Sequence, residues 1–100
     1  MIRVDLTPLA ERDLEAIGDY IALDDPLRTV TFVEELRQAT EVLATFPKAF
    51  PVVPGYEERD VRFHTYGRYV IYYRVVADGA RVVVLRVLNA AQDRERELPQ

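Results

Sequence analysis

The chain has 100 residues, no cysteine and one histidine, with 49 % hydrophobic and 30 % charged side chains and a net charge of −4. That is the size of one domain with one core. It excludes a disordered chain, a disulfide scaffold and a cysteine- or histidine-rich metal site. Residues 1–50 hold ten acids against five cations, whereas residues 51–100 hold eight arginines, no lysine and seven acids. A strongly basic nucleic-acid binder is not compatible with this balance, but a local arginine patch is. No apolar run approaches the ~20 residues of a membrane helix. Asp5, Glu11, Arg12 and Asp13 interrupt the N-terminus before a signal-peptide core can form. A cytoplasmic address is the expectation.

Residues 2–6 alternate apolar and polar, which predicts a half-buried strand. Thr7-Pro8 reads as an N-cap followed by proline at the first helical position. Ala10, Leu14, Ile17 and Ile21 then recur at four-three-four spacing, the stripe of a helix over about 8–23. Glu11, Asp13, Glu15 and Asp19 are assigned to its wet side. Asp25-Pro26 repeats the cap signal. Phe32, Leu36, Ala39 and Leu43 mark a second helix over about 26–46, stopped by Pro47 and roughly 30 Å long. The short connection predicts an antiparallel helical hairpin.

Pro47, Pro51, Pro54 and Gly55 mark a loop. Residues 60–65 alternate Val61 and Phe63 against Arg62 and His64. Residues 69–76 and 81–88 are rich in β-branched and aromatic side chains, and Asp78-Gly79 between them is a hairpin turn signal. Residues 90–97 read as one or two helical turns. The order is β-α-α-β-β-β in one α+β domain, 1–100, with an antiparallel sheet covered on one face by the helical hairpin. A two-residue turn pairs Ala77 with Ala80, Arg74 with Val83 and Tyr72 with Leu85. It places Tyr69, Ile71, Tyr73, Val75, Val82, Val84, Arg86 and Leu88 under the helices. Val70, Tyr72, Arg74, Val76, Arg81, Val83, Leu85 and Val87 fall on the other face, expected to be open.

The segments Leu14–Ala22 (LEAIGDYIA), Tyr69–Val75 (YVIYYRV) and Leu85–Asp93 (LRVLNAAQD), with the helical hairpin and the Pro-rich loop, resemble the ParE/RelE superfamily of type II toxins. The resemblance spans nearly the whole chain. It implies two rival activities: messenger-RNA cleavage on the ribosome in the RelE branch, and inhibition of DNA gyrase in the ParE branch.

Metal-free RNA cleavage needs a base for the 2′-hydroxyl, cations around the phosphate and an acid for the leaving oxygen. In the RNA-cleaving relatives, basic residues of the second strand, an arginine early in the third and a basic residue after the fourth do this work, often with a late tyrosine or histidine. Here the second strand offers Arg62 and His64, with Arg68 nearby. The third-strand position is Val70, and Asn89, Ala90, Ala91 and Gln92 follow the last strand; no tyrosine or histidine follows Tyr73. The ParE-like reading is therefore favoured, without catalytic residues of its own. Arg62, Arg74, Arg81, Arg86, Asn89 and Arg94, and the segment 89–96 generally, are the candidate target contacts. Arg86 is equally suited to a buried ion pair. Asn89, where many ParE-like sequences have histidine, hydrogen-bonds but exchanges no proton near neutrality.

The resemblance further implies no cofactor and no metal. It implies a ParD-like antitoxin with a ribbon-helix-helix DNA-binding domain, through which operator DNA is reached only indirectly, and no membrane partner. Such a tail adds a strand to a sheet edge or lays a helix in an apolar groove of the helical hairpin. The acidic first half predicts basic residues in that tail. A binding module without toxic activity is the third reading.

Overall fold

The computed structural model describes residues 2–91 and Leu98. Its elements are β1 (Arg3–Leu6), α1 (Pro8–Asp24), α2 (Pro26–Thr45), β2 (Val61–Tyr66), β3 (Tyr69–Val76) and β4 (Arg81–Asn89). Both proline-led helix starts are as the sequence predicts. The Thr7 side chain accepts from the Ala10 N–H (3.1 Å), and the Asp25 side chain accepts from the Arg28 N–H (3.0 Å). Each such cap is worth about 1 kcal/mol. Asp25 ends α1 and caps α2, so the helices turn back on each other at once.

The strand order is β1-β4-β3-β2. Strands β2, β3 and β4 are antiparallel, but β1 joins β4 in parallel, so the sheet is mixed where an antiparallel one was expected. The helical hairpin is the reason. Tight turns force antiparallel neighbours, whereas a long helical crossover lets the chain return in parallel.

The β3–β4 turn is closed by the Ala80 N–H on the Ala77 carbonyl (3.1 Å), with Asp78 and Gly79 left-handed. Arg74 pairs with Val83 as expected, but Tyr72 pairs with Arg86 instead of Leu85. A β-bulge between these pairs lets Leu85 through as an extra residue. It reverses the alternation beyond it: Val87 lies in the helix-side core and Leu88 on the far side, the opposite of the expectation. The N-cap and the N-terminal half of α1 satisfy this stretch of β4, which runs past the last residue of β1. Thr7 Oγ1 donates to the Leu85 carbonyl (2.9 Å), and the Val87 N–H donates to Asp13 Oδ2 (3.0 Å).

The main core packs Ala10, Leu14, Ile17, Leu36, Ala39 and Leu43 of the helices on Ile71, Tyr73, Val82 and Val84. The helices approach closely at Gly18, where a Cβ would sit 3.3 Å from Val33 Cγ2. Thr29 Oγ1 donates to the Gly18 carbonyl across the gap (3.1 Å). The far face of the sheet is open only in part: Arg81 is exposed there, but the other end is covered. Val53 and Tyr56 of the Pro-rich loop, together with Leu98, cover Val61, Val70, Tyr72 and Leu88 in a second core. The Val53 N–H donates to the Val61 carbonyl, and the Phe63 N–H to the Pro51 carbonyl, so this loop also lies along the free edge of β2.

Candidate functional site

The arginines and histidine singled out in the sequence fall in separate places, and most are already engaged. Arg62, on β2, faces the end of α2. Its Nε donates to Asp60 Oδ1 (2.8 Å), and one terminal nitrogen donates to the carbonyls of Lys48 (3.1 Å) and Phe50 (2.7 Å). It staples the start of the Pro-rich loop to the sheet. His64, two residues on, lies against the Phe50 ring with centroids 4.1 Å apart. Burial holds its pKa below the usual 6.5.

Arg74 Nε donates to the Arg59 carbonyl (3.0 Å). Arg81 Nε donates to Asp5 Oδ2 (2.7 Å), and Arg3 Nε takes the other oxygen of that carboxylate (2.9 Å). Arg68 sits exposed in the β2–β3 turn, its carbonyl accepting from the Ala90 N–H (2.7 Å). Asn89 Oδ1 accepts from the Ala91 N–H (2.9 Å). Arg94 and the rest of the 89–96 segment beyond Ala91 lie outside the described residues, as does most of the proposed 90–97 helical turn.

Arg86 forms a two-pronged pair with Asp13 of α1, Nε to Oδ2 at 2.8 Å and a terminal nitrogen to Oδ1 at 2.9 Å. The two side chains are only 16 % and 13 % exposed. Asp13, assigned to the wet side of α1 from the sequence, is therefore turned inward. The signal that could have found it is its position: it stands one residue before Leu14 on a second stripe of α1, Leu9, Asp13, Ala16, Tyr20 and Leu23.

This pair lies in the wall of an open groove of about 560 Å³. Ala16, Ile17 and Tyr20 of α1 line one side, and Tyr69, Val87 and Asn89 line the other. The groove thus runs between α1 and the end of β4. It does not run between the two helices, as the sequence suggested, because Gly18 lets those close on each other. Beyond Phe32, whose ring packs on both Tyr66 and the groove's Tyr69, Glu35 of α2 accepts from the Tyr66 hydroxyl and pairs with Arg28. The Arg28 guanidinium, then the Tyr66 hydroxyl, hold its carboxyl below the usual 4.5.

That network sets a pH dependence. Above about pH 5, Glu35 is ionised in both the folded and unfolded chain, and its contacts count in full. As pH falls below 4.5 the unfolded carboxyl takes its proton first, and the stabilisation fades as pH drops through the lower folded value. Thermal unfolding between about pH 5 and pH 3 is expected to show a falling Tm in the native chain. In Glu35→Gln the Tm is lower at neutral pH and the fall is shallower. Asp5, held below 3.8 by hydrogen bonds from Arg3 and Arg81, keeps a residual slope. Equal slopes in both proteins would remove Glu35 from this account.

Among the described residues no cluster of three His, Cys, Asp or Glu side chains is placed to hold a metal ion, and no helix is long and apolar enough to cross a membrane.

These elements define a small α+β domain with a mixed four-stranded sheet under a helical hairpin. The model of the family "ParE toxin of type II toxin-antitoxin system, parDE" matches residues 4–94. The chain belongs to that family of toxins. Among solved structures, it is similar to the chromosomal ParDE TA system from P. aeruginosa at 23 % identity, with a TM-score of 0.74 over 89 % of this chain and 96 % of that one. It is also similar to the toxin–antitoxin complex RelBE2 from Mycobacterium tuberculosis at 25 % identity, with a TM-score of 0.60 over 88 % and 96 %. No curated protein sequence matches it.

Proposed function

We propose that this ParE-family toxin acts by binding and inhibiting DNA gyrase, and that a cognate ParD-like antitoxin with a ribbon-helix-helix domain neutralises it. The observation that carries the choice between gyrase and RNA is the fate of the second-strand cations. Arg62 spends its donors on Asp60 and two loop carbonyls, and His64 lies against Phe50. A phosphate-cleaving site needs cations aimed at a shared point where charge develops. Here Arg62, Arg81 and Arg86 point into three different internal contacts. The net charge of −4 adds a general repulsion toward RNA.

The antitoxin part of the reading is supported by the family and by both similar structures, a ParDE system and the RelBE2 toxin–antitoxin complex. A cytoplasmic site of action follows from such a target. The deciding experiment runs the purified, antitoxin-free chain in a gyrase supercoiling assay beside a ribosome-dependent mRNA cleavage assay. Inhibited supercoiling with intact mRNA is the expected result. Cleaved mRNA with active gyrase would overturn it and make His64 the leading candidate for the base. If neither responds, the chain is a binding module without either activity.

A further inference from the structure

The three most exposed large apolar side chains among the described residues lie at the corner of the helical hairpin. Leu23 is 83 %, Leu27 85 % and Val30 72 % exposed. Leu23 sits in the last turn of α1 and Leu27 in the first turn of α2, on either side of Asp25, which caps both helices. Val30 follows Leu27 by about one turn, on the same face. Leu27 does not belong to the core. It precedes Leu36 of the core by about two and a half turns, hence on the opposite side of α2. The corner is held firmly: Gly18 lets the helices close, and Thr29 Oγ1 donates to its carbonyl (3.1 Å). Single apolar residues on a surface are ordinary, but a cluster on a fixed corner marks a contact surface.

Acids surround this cluster. Asp19 stands about one turn before Leu23 and Glu34 about one turn after Val30, with Asp24 and Asp25 at the corner itself, all of them exposed. Arg28, the one cation between Arg12 and Arg37, is spent on Glu35. Such a surface fits a partner with an apolar centre and a basic surround. A second copy of this chain brings the same acids against the same acids and is repelled. An enzyme that holds DNA presents lysine and arginine along the phosphate path. We propose that the hairpin corner, with Leu23, Leu27 and Val30 at its centre and Asp19 and Glu34 at its rim, is the surface through which the toxin grips gyrase, on a basic region beside the DNA path. The inference deepens the gyrase reading and rests on it. It puts a surface of opposite charge in place of the arginines expected from the sequence, since Arg62, Arg81 and Arg86 are held in internal contacts. The corner is also separate from the groove beside α1, which none of its three apolar residues lines.

The test uses the full chain and purified gyrase, with supercoiling inhibition and direct binding by biolayer interferometry measured side by side. Two variants break the apolar centre without opposing the helix dipoles. Leu23→Lys places a cation in the last turn of α1, and Leu27→Asp places an acid in the first turn of α2. Each is expected to raise the inhibitory concentration about tenfold and to weaken binding in step, with circular dichroism and Tm unchanged. Asp19→Asn/Glu34→Gln removes rim charge alone. It is expected to weaken binding about threefold at about 50 mM salt and less at about 300 mM, where exposed charges are screened. Phe46→Ser, at an exposed apolar position at the other end of α2, is expected to inhibit like the native chain. Native inhibition by both Leu23→Lys and Leu27→Asp, or an equal loss in Phe46→Ser, overturns this surface and leaves the gyrase reading standing. A native chain that neither binds nor inhibits gyrase overturns both. A native dimer in analytical ultracentrifugation that Leu27→Asp dissolves assigns the corner to a second copy and overturns the proposal.

Discussion

Replacing Asp13 with alanine is expected to lower the unfolding free energy by about 3 kcal/mol, the low end for breaking a largely buried ion pair. In a domain of this size that displaces Tm by roughly 15 °C. Two losses add. The Arg86 guanidinium, 16 % exposed, keeps its charge but loses the carboxylate that balances it. The Val87 N–H, just past the bulge, loses its acceptor as well. Urea and thermal unfolding of Asp13→Ala, Arg86→Met and the double variant Asp13→Leu/Arg86→Met measure the effect. The double variant is expected to recover most of the loss, because well-packed apolar residues replace a buried pair at little or no net cost. Its Val87 N–H still lacks an acceptor, so recovery stops short of complete. A loss below about 1 kcal/mol for Asp13→Ala would mean that the pair behaves like an exposed one and that something else holds α1 to β4.

What was legible in the sequence is what local chemistry decides. Thr7-Pro8 and Asp25-Pro26 set the helix starts, because a side-chain oxygen and a missing N–H act within one turn. Asp78-Gly79 sets the near half of the β3–β4 register, because left-handed turn residues fix which strands meet. The rest depended on distant groups. The bulge near Leu85 is stabilised by Thr7 and Asp13, more than seventy residues away, and no local pattern encodes it. The parallel pairing of β1 is set by the crossover of two helices, whose length leaves the direction open. The arginine positions were visible as candidates, and a buried ion pair for Arg86 was one of the two readings the sequence left open, but the partners were not legible. Arg62, Arg74 and Arg86 each bond to partners that only the assembled fold supplies. The far face of the sheet likewise read as open because its cover, Val53, Tyr56 and Leu98, comes from loop and terminus without periodicity.

Arg62→Ala separates a staple from a target contact. The native side chain is 16 % exposed and satisfies Asp60 and the carbonyls of Lys48 and Phe50. Hydrogen bonds from a charged donor contribute about 1.5–3 kcal/mol each at best, and these three share one side chain. A total loss of about 2 kcal/mol is expected, with the damage concentrated at the Pro-rich loop. Hydrogen exchange is therefore expected to quicken first at the Val53 and Phe63 amides, which bond to Val61 and Pro51 across the loop–sheet seam. As Phe50 leaves His64, burial relaxes and the imidazole pKa rises toward 6.5, measurable by NMR titration. Arg62→Lys is expected to fall between, because one ammonium cannot reproduce the geometry of a guanidinium spanning three acceptors. If toxicity follows stability through this series, Arg62 acts through the fold. If Arg62→Ala keeps native stability and native loop exchange while toxicity disappears, the guanidinium touches the target, and the assignment as a staple is wrong.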